Sequence, residues 1–141
     1  MAAPERELVG VATAFLRSCA PLTALVGTSI FFRPQPTLTP PYVSVDDAYT
    51  TRVDAQCISG VLVTLNVHVW TDDSHPLPNG GGALQDARAI AFEVSNALHH
   101  AALTLPTSTL VTIAHKGTRV FYDTDGTTGH GVVSFEAIVN F

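Results

Sequence analysis

Hydrophobic and polar positions alternate with period two along Gly60–Trp70 and again along Gly129–Phe141. In the first run Val61, Val63, Leu65, Val67 and Val69 share one side, and Leu62, Thr64, Asn66, His68 and Trp70 the other. In the second, Val133, Phe135, Ala137, Val139 and Phe141 alternate with Ser134, Glu136, Ile138 and Asn140. This alternation of β-branched and aromatic residues predicts half-buried antiparallel strands. Between them Leu84, Ala87, Ala91, Val94, Leu98 and Ala101 form the apolar stripe of a helix over about 83–102, ended by Leu103 to Pro106. Near the start, Leu8, Val11, Ala12, Phe15, Leu16 and Cys19 predict another helix. Pro4 suits its first turn, Glu5 and Glu7 suit the positive end of its dipole, and Pro21 stops it.

Leu22–Gly27 adds one short turn, and Ser29–Arg33 reads as a short strand. Pro34, Pro36, Pro40 and Pro41 then break the chain into an extended loop. Tyr42–Asp46 is a strand, followed by a polar region, Asp47–Gly60, with part of a strand around 50–55. Thr71–Gly82, rich in Pro and Gly, is a loop and the most mobile internal segment expected. A strand over about 108–122 reaches Asp123-Thr-Asp-Gly126, a hairpin signal, and the last strand returns antiparallel. Runs of strands separated by only two helices predict one α+β domain over 1–141, an antiparallel sheet with two helices packed on one face. The other face, with its Thr, Ser, Asn and His, is left for water or for a neighbouring subunit.

Composition favours the neighbour. Charged residues are 13% of the chain against roughly 25% in ordinary domains, and Lys116 is the only lysine. So little surface charge is a poor guarantee of solubility for a free monomer, whereas subunit interfaces are depleted in Lys and Glu. The net charge of -5 and six scattered arginines argue against gripping nucleic acid. No apolar run approaches the roughly 20 residues of a membrane span.

Catalytic signatures are missing. There is no Gly-x-Ser-x-Gly elbow and no phosphate loop, and Gly80–Gly82 does not follow a strand directly. His68, Asp72, Asp73 and His75 lie close together but match no metal spacing, so they read as solvated groups at a strand end. His99 and His100 suit a helix C-terminus, and turn chemistry accounts for Asp46–Asp47 and for Asp123 with Asp125. His130, between Gly129 and Gly131, either orders the hairpin or faces a partner. Cys19 and Cys57 lack redox spacing and read as buried free thiols. The expectation is a protein that is not an enzyme and holds no cofactor and no metal.

The order of motifs resembles a family. Leu25-Val-Gly27, the Pro-rich loop, Pro41-Tyr-Val-Ser-Val45 and Leu65-Asn-Val-His-Val-Trp70 come first. The Ala-rich helix follows, then Arg119-x-x-x-Asp123-x-Asp-Gly126 and His130-Gly-Val-Val-x-Phe135. Over nearly the whole chain this pattern resembles the tail-completion, or tail-terminator, proteins of long-tailed bacteriophages and the related gene transfer agents, although loop 71–82 is longer and richer in Pro and Gly. The resemblance implies a structural virion subunit that forms a ring, typically hexameric, at the head-proximal end of the tail tube. Such a ring stops tube polymerisation, meets the tail tube protein on one side and the head connector on the other, and lets DNA pass without binding it. Localisation would be the virion, after assembly in the bacterial cytoplasm. Candidate interface residues are Phe121, Tyr122, His130 and Phe141 of the long hairpin, with Asp72, Asp73, His75 and Asn79 of the loop. The alternative is a small-ligand or regulatory α+β binding module without catalysis.

Overall fold

The computed structural model describes residues 3–35, 37–55, 58–78 and 80–141. Cys57 and Asn79, both singled out above, lie outside them. Five strands form one sheet in the order β1-β2-β3-β5-β4, with β1 Ile30–Phe31, β2 Tyr42–Ala55, β3 Ile58–Thr71, β4 Thr109–Tyr122 and β5 Gly129–Asn140. The two patterned segments are β3 and β5, and they pair antiparallel along their whole length, from Gly60 with Asn140 to Thr71 with Gly129. Their apolar sides coincide. Val63, Leu65, Val67, Val69, Val133, Phe135, Ala137 and Val139 are all fully buried.

Three helices cover that side: α1 Pro4–Arg17, α2 Ala20–Val26 and α3 Ala83–Leu98. Leu8, Ala12 and Leu16 of α1, Leu22 of α2, and Ala87, Ile90, Ala91, Val94 and Leu98 of α3 join the strands in a single core. The α+β architecture is as expected, with two differences. Pro21 does not merely stop the first helix; it sits in the opening turn of a second, where its missing N–H has no partner to lose. The axis turns by 79° at the break, so Leu22 and Val26 close the core between α1 and α3. The sheet is mixed, because β1 pairs parallel with β2. No single helix among the described residues is long and apolar enough to cross a membrane.

The polar region after Asp46 is strand as well. β2 runs on to Ala55 past a bulge between Ser44 and Asp47, paired with β3 throughout. Past the helices there is no core to alternate against, so the ladder holds this arm while the sequence loses its apolar rhythm. The hairpin between β4 and β5 has a six-residue loop, since Tyr122 already pairs with Gly129. Gly126 takes φ +73 in that turn, and Asp125 accepts hydrogen bonds from the Thr127 and Thr128 amides at 2.9 and 2.8 Å and from the Thr128 hydroxyl. These bonds hold the Asp125 carboxyl down at about 2. Cys19 is only half-buried, its thiol bonded to the Phe15 carbonyl at 3.2 Å, and burial pushes the thiol pKa up.

A long-range clamp joins the first helix to the strand before the hairpin. The Glu7 carboxylate of α1 accepts the Thr107 amide at 3.1 Å, the Thr107 hydroxyl at 2.6 Å and the Ser108 hydroxyl at 2.6 Å. It thereby ties the first helix to the start of β4. The Ser108 and Thr107 hydroxyls favour the ionised form and hold the Glu7 pKa below 4.5. A depressed carboxylate contributes stability that is complete above its unfolded pKa and is lost as pH falls through the folded one. Replacing Glu7 by Gln is therefore expected to lower the unfolding midpoint at pH 7 and to flatten its decline below about pH 4.5. Thermal melts from pH 3 to 7 check this, and parallel curves for the two proteins would refute it.

Candidate functional site

The uncovered face of the sheet carries a row of aromatic rings across four strands. Strand register puts Tyr42 beside Trp70, Trp70 beside His130, and His130 beside Phe121. These residues share the open side because each lies on the polar phase of its strand. The rings touch. Trp70 and His130 stack with centroids 3.9 Å apart, Tyr42 and Trp70 lie at 6.1 Å, and Phe121 meets His130 at 4.9 Å. The Arg119 guanidinium sits 5.1 Å above the Phe121 ring, within cation–π range. Trp70 Nε1–H donates to Ser44 Oγ at 3.3 Å.

From three successive rows, His130, His68 and Asp47 form a chain. His68 Nε2 lies 2.7 Å from Asp47 Oδ2, and His68 Nδ1 lies 2.7 Å from His130 Nε2. With Asp47 ionised, the network assigns Nε2–H of His68 as donor to the carboxylate. Nδ1 of His68 then accepts from Nε2–H of His130. A single proton lies between the two rings, so both histidines cannot be cationic without breaking that bond. The His130 pKa is lowered, first by burial among its aromatic neighbours and then by His68, with Asp123 opposing. Because the folded pKa lies below 6.5, stability is expected to fall as pH drops through 6.5.

The chain ends on aromatic faces. Among the described residues no hydroxyl or thiol hydrogen-bonds to His130, whose polar contact is to His68. Beside it lies a groove of about 310 Å³ bounded by Phe32, Arg33 and Pro34 after β1 and by Asp46, Asp47 and Trp70.

Of the residues proposed from sequence, Phe121 and His130 belong to this row. Tyr122 is at the same end of the sheet but on the opposite side, 49% exposed. Phe141 is at the other end of β5, about 35 Å away at roughly 3.3 Å per residue, with its amide on the Ser59 carbonyl. Neither Tyr122 nor Phe141 therefore shares a site with Phe121 and His130. In the loop, Asp72 accepts the His75 amide at 2.9 Å and also meets its ring. Asp73 accepts the Ala83 amide at 2.9 Å, capping α3. Asp86, buried in the first turn of α3, accepts the Leu77 amide at 3.1 Å. These bonds fasten several points of a segment whose composition suggested free movement.

Asp47 lies on β2 rather than in a turn, and His68 lies within β3 rather than among solvated strand-end groups. The polar phase of His68 on β3 and of His130 on β5 was the available signal for a shared face. Their lateral alignment needed the register.

Comparisons with known proteins agree with this architecture. The family model described as "Tail completion protein gp17" matches residues 12–140. The tail completion protein gp17 of Bacillus phage SPP1 is 29% identical over 100 residues, covering 71% of this chain and 68% of that protein. Among solved structures, a chain from the virion of a native gene transfer agent particle superposes with a TM-score of 0.86 at 25% identity, over 100% of both chains. The structure of the bacteriophage SPP1 gp17 protein superposes with a TM-score of 0.57 at 25% identity, over 97% of this chain and 90% of that one.

Proposed function

This chain belongs to the tail completion protein gp17 family, and from that premise we propose that it forms a closed ring on the head-proximal end of the tail tube. It is a tail component of a phage or gene transfer agent virion. In the proposed role the ring is hexameric. One rim ends polymerisation of the tail tube protein, the other receives the head connector, and DNA passes through the lumen without specific contacts. The observation that carries the reading is the end-to-end superposition, at a TM-score of 0.86, on a subunit of an assembled virion. The surface is in keeping with it. Tyr49, Val53, Val111, Tyr122, Ile138 and Phe141 are each more than a third exposed, an apolar load that a neighbour would cover.

The test is a particle preparation lacking this protein. Tails are expected to overrun their normal length and to remain apart from heads, and purified protein added back is expected to cap them. Tails of normal length joined to heads in its absence would overturn the reading.

Within the ring we assign the tip of the β4–β5 hairpin to contacts with neighbours. Replacing Phe121 and Tyr122 by Ser, singly and together, is expected to abolish rings while the monomer stays folded. Tyr122 is half-exposed, so its loss costs the fold no more than about 0.5 kcal/mol. Sedimentation velocity distinguishes the outcomes, and unchanged rings that still cap tails would remove the hairpin tip from the interface.

A further inference from the structure

The sheet has two free edges, and they carry opposite charge at the same height. β1 covers only the start of β2, through Val43 and Ser44, and the Phe32 carbonyl takes the Val45 and Asp46 amides, so beyond Asp46 the outer edge of β2 has no strand partner among the described residues. On the far side no strand pairs with the outer edge of β4; the His100 amide and the His99 ring occupy it at Ile113 and His115, and past His115, among the described residues, it is open. Following the register across the sheet, Asp47 aligns with Asn66, Ser134 and Gly117, and Ser44 aligns with His68, Val132 and Arg119. Asp46 and Asp47 therefore stand at one edge on the level at which Lys116 and Arg119 stand at the other, and all four side chains are exposed.

Local contacts compensate each charge only in part, Asp47 meeting the His68 ring at 2.7 Å. Arg33 borders the same groove as the two aspartates, but among the described residues no arginine forms an ion pair. Glu5 and Arg6, next to Asp46 on the α1 side, offset each other. Lys116 lies 3.7 Å from Glu136, whereas Arg119 sits over the Phe121 ring and, among the described residues, forms no ion pair. One edge is left with a net negative charge and the other with a net positive one.

Shape follows charge. Phe32, 49% exposed, projects beside Asp46, where its carbonyl accepts the Asp46 amide at 2.6 Å. The β4 edge presents a depression of about 420 Å³ over Gly117, flanked by Lys116, Arg119, Val132 and Ser134. The register shifts within β4, between Leu110 and Thr112 and between His115 and Gly117, interrupt the ladder that would let two edges pair as continuous sheet. Contact through side chains is what such an edge permits.

We infer that the partner of each edge is a second copy of this chain, with Lys116 and Arg119 of one subunit against Asp46 and Asp47 of the next and Phe32 seated over Gly117. The contact is head-to-tail, so it repeats around a closed ring and leaves no edge free. It rests on the ring reading above and specifies which surfaces close the ring.

Charge reversal in the full-length chain tests it, read by sedimentation velocity or mass photometry over a concentration series. Asp46→Lys alone and Arg119→Glu alone are each expected to raise the half-assembly concentration at least tenfold, with circular dichroism unchanged. The chain carrying both reversals, in which the attraction is restored with its sign inverted, is expected to return to within about threefold of wild type. Raising salt to 1 M is expected to weaken wild-type rings, because exposed charges are screened within a few ångströms. If Arg119→Glu unsettles the hairpin through lost packing on Phe121, Lys116→Glu reads the same contact. A wild-type chain that forms no closed assembly overturns both the ring and this inference. Wild-type rings with indifferent single reversals, or with no rescue in the double reversal, overturn the edge contact alone.

Discussion

Replacing Phe135 by Ala is expected to lower the unfolding free energy by about 3–5 kcal/mol, the usual cost of emptying a buried phenylalanine site. Phe135 heads the fully buried side chains by volume and is 0% exposed. It lies at the middle of β5, paired with Leu65 on one side and His115 on the other, and its ring is 5.7 Å from the His115 imidazole. β strands flank it on both sides and the helices cap it, so the surrounding backbone cannot close on the void. The loss is a large part of the roughly 7–20 kcal/mol that a chain of this length commands. Urea unfolding followed through Trp70, the only tryptophan, measures it. A loss below about 1 kcal/mol would mean that α3 settles onto the sheet and that this core is softer than its packing implies.

The second large effect belongs to Gly129, where β5 leaves the hairpin loop. A Cβ there would stand 2.9 Å from the Ala83 carbonyl oxygen and 3.1 Å from its carbonyl carbon, and would also collide with the Thr71 hydroxyl. That hydroxyl already donates to the Ala83 carbonyl at 2.7 Å. The three groups join β3, β5 and the start of α3, and backbone atoms have little room to yield. Gly129→Ala is expected to cost about 1–3 kcal/mol by overpacking. Gly10 supplies the opposite sign. Nothing lies within 4 Å of a Cβ at that position in α1, so Gly10→Ala is expected to add about 0.5–1 kcal/mol by removing a helix-interior glycine. The two variants compared in one denaturant series form the check. A neutral Gly129→Ala would show that the strand start shifts freely away from α3.

Helix existence was legible because the 3.6-residue stripe is a local property. Leu8, Ala12 and Leu16 on α1, and Ala87, Ala91, Val94 and Leu98 on α3, are all core residues. The limits of elements were less so. α3 stops at Leu98 rather than near 102, because His100 turns to φ +58 and gives its amide to the Ile113 carbonyl. That contact with β4 outweighs the further helical turn that Ala101 suggested. The arm of β2 beyond Asp46 was hidden for the converse reason: a strand held by its ladder and exposed on both sides has no apolar rhythm to read.

The sequence by itself determined which side of each long strand faces the core, since successive side chains of a strand must point to opposite faces. It also determined that the surface is poor in charge, and, through the order of its motifs, the family. Only the tertiary structure decided how the strands lie side by side. The meetings of Asp47 with His68 and His130 and of Glu7 with Thr107 and Ser108, like the opposite charges level on the two sheet edges, join residues tens of positions apart. Period-two alternation fixes the face of a residue but not its row. Rows come from register, which the core-facing side chains, the bulges and the loop lengths set together once the sheet has formed.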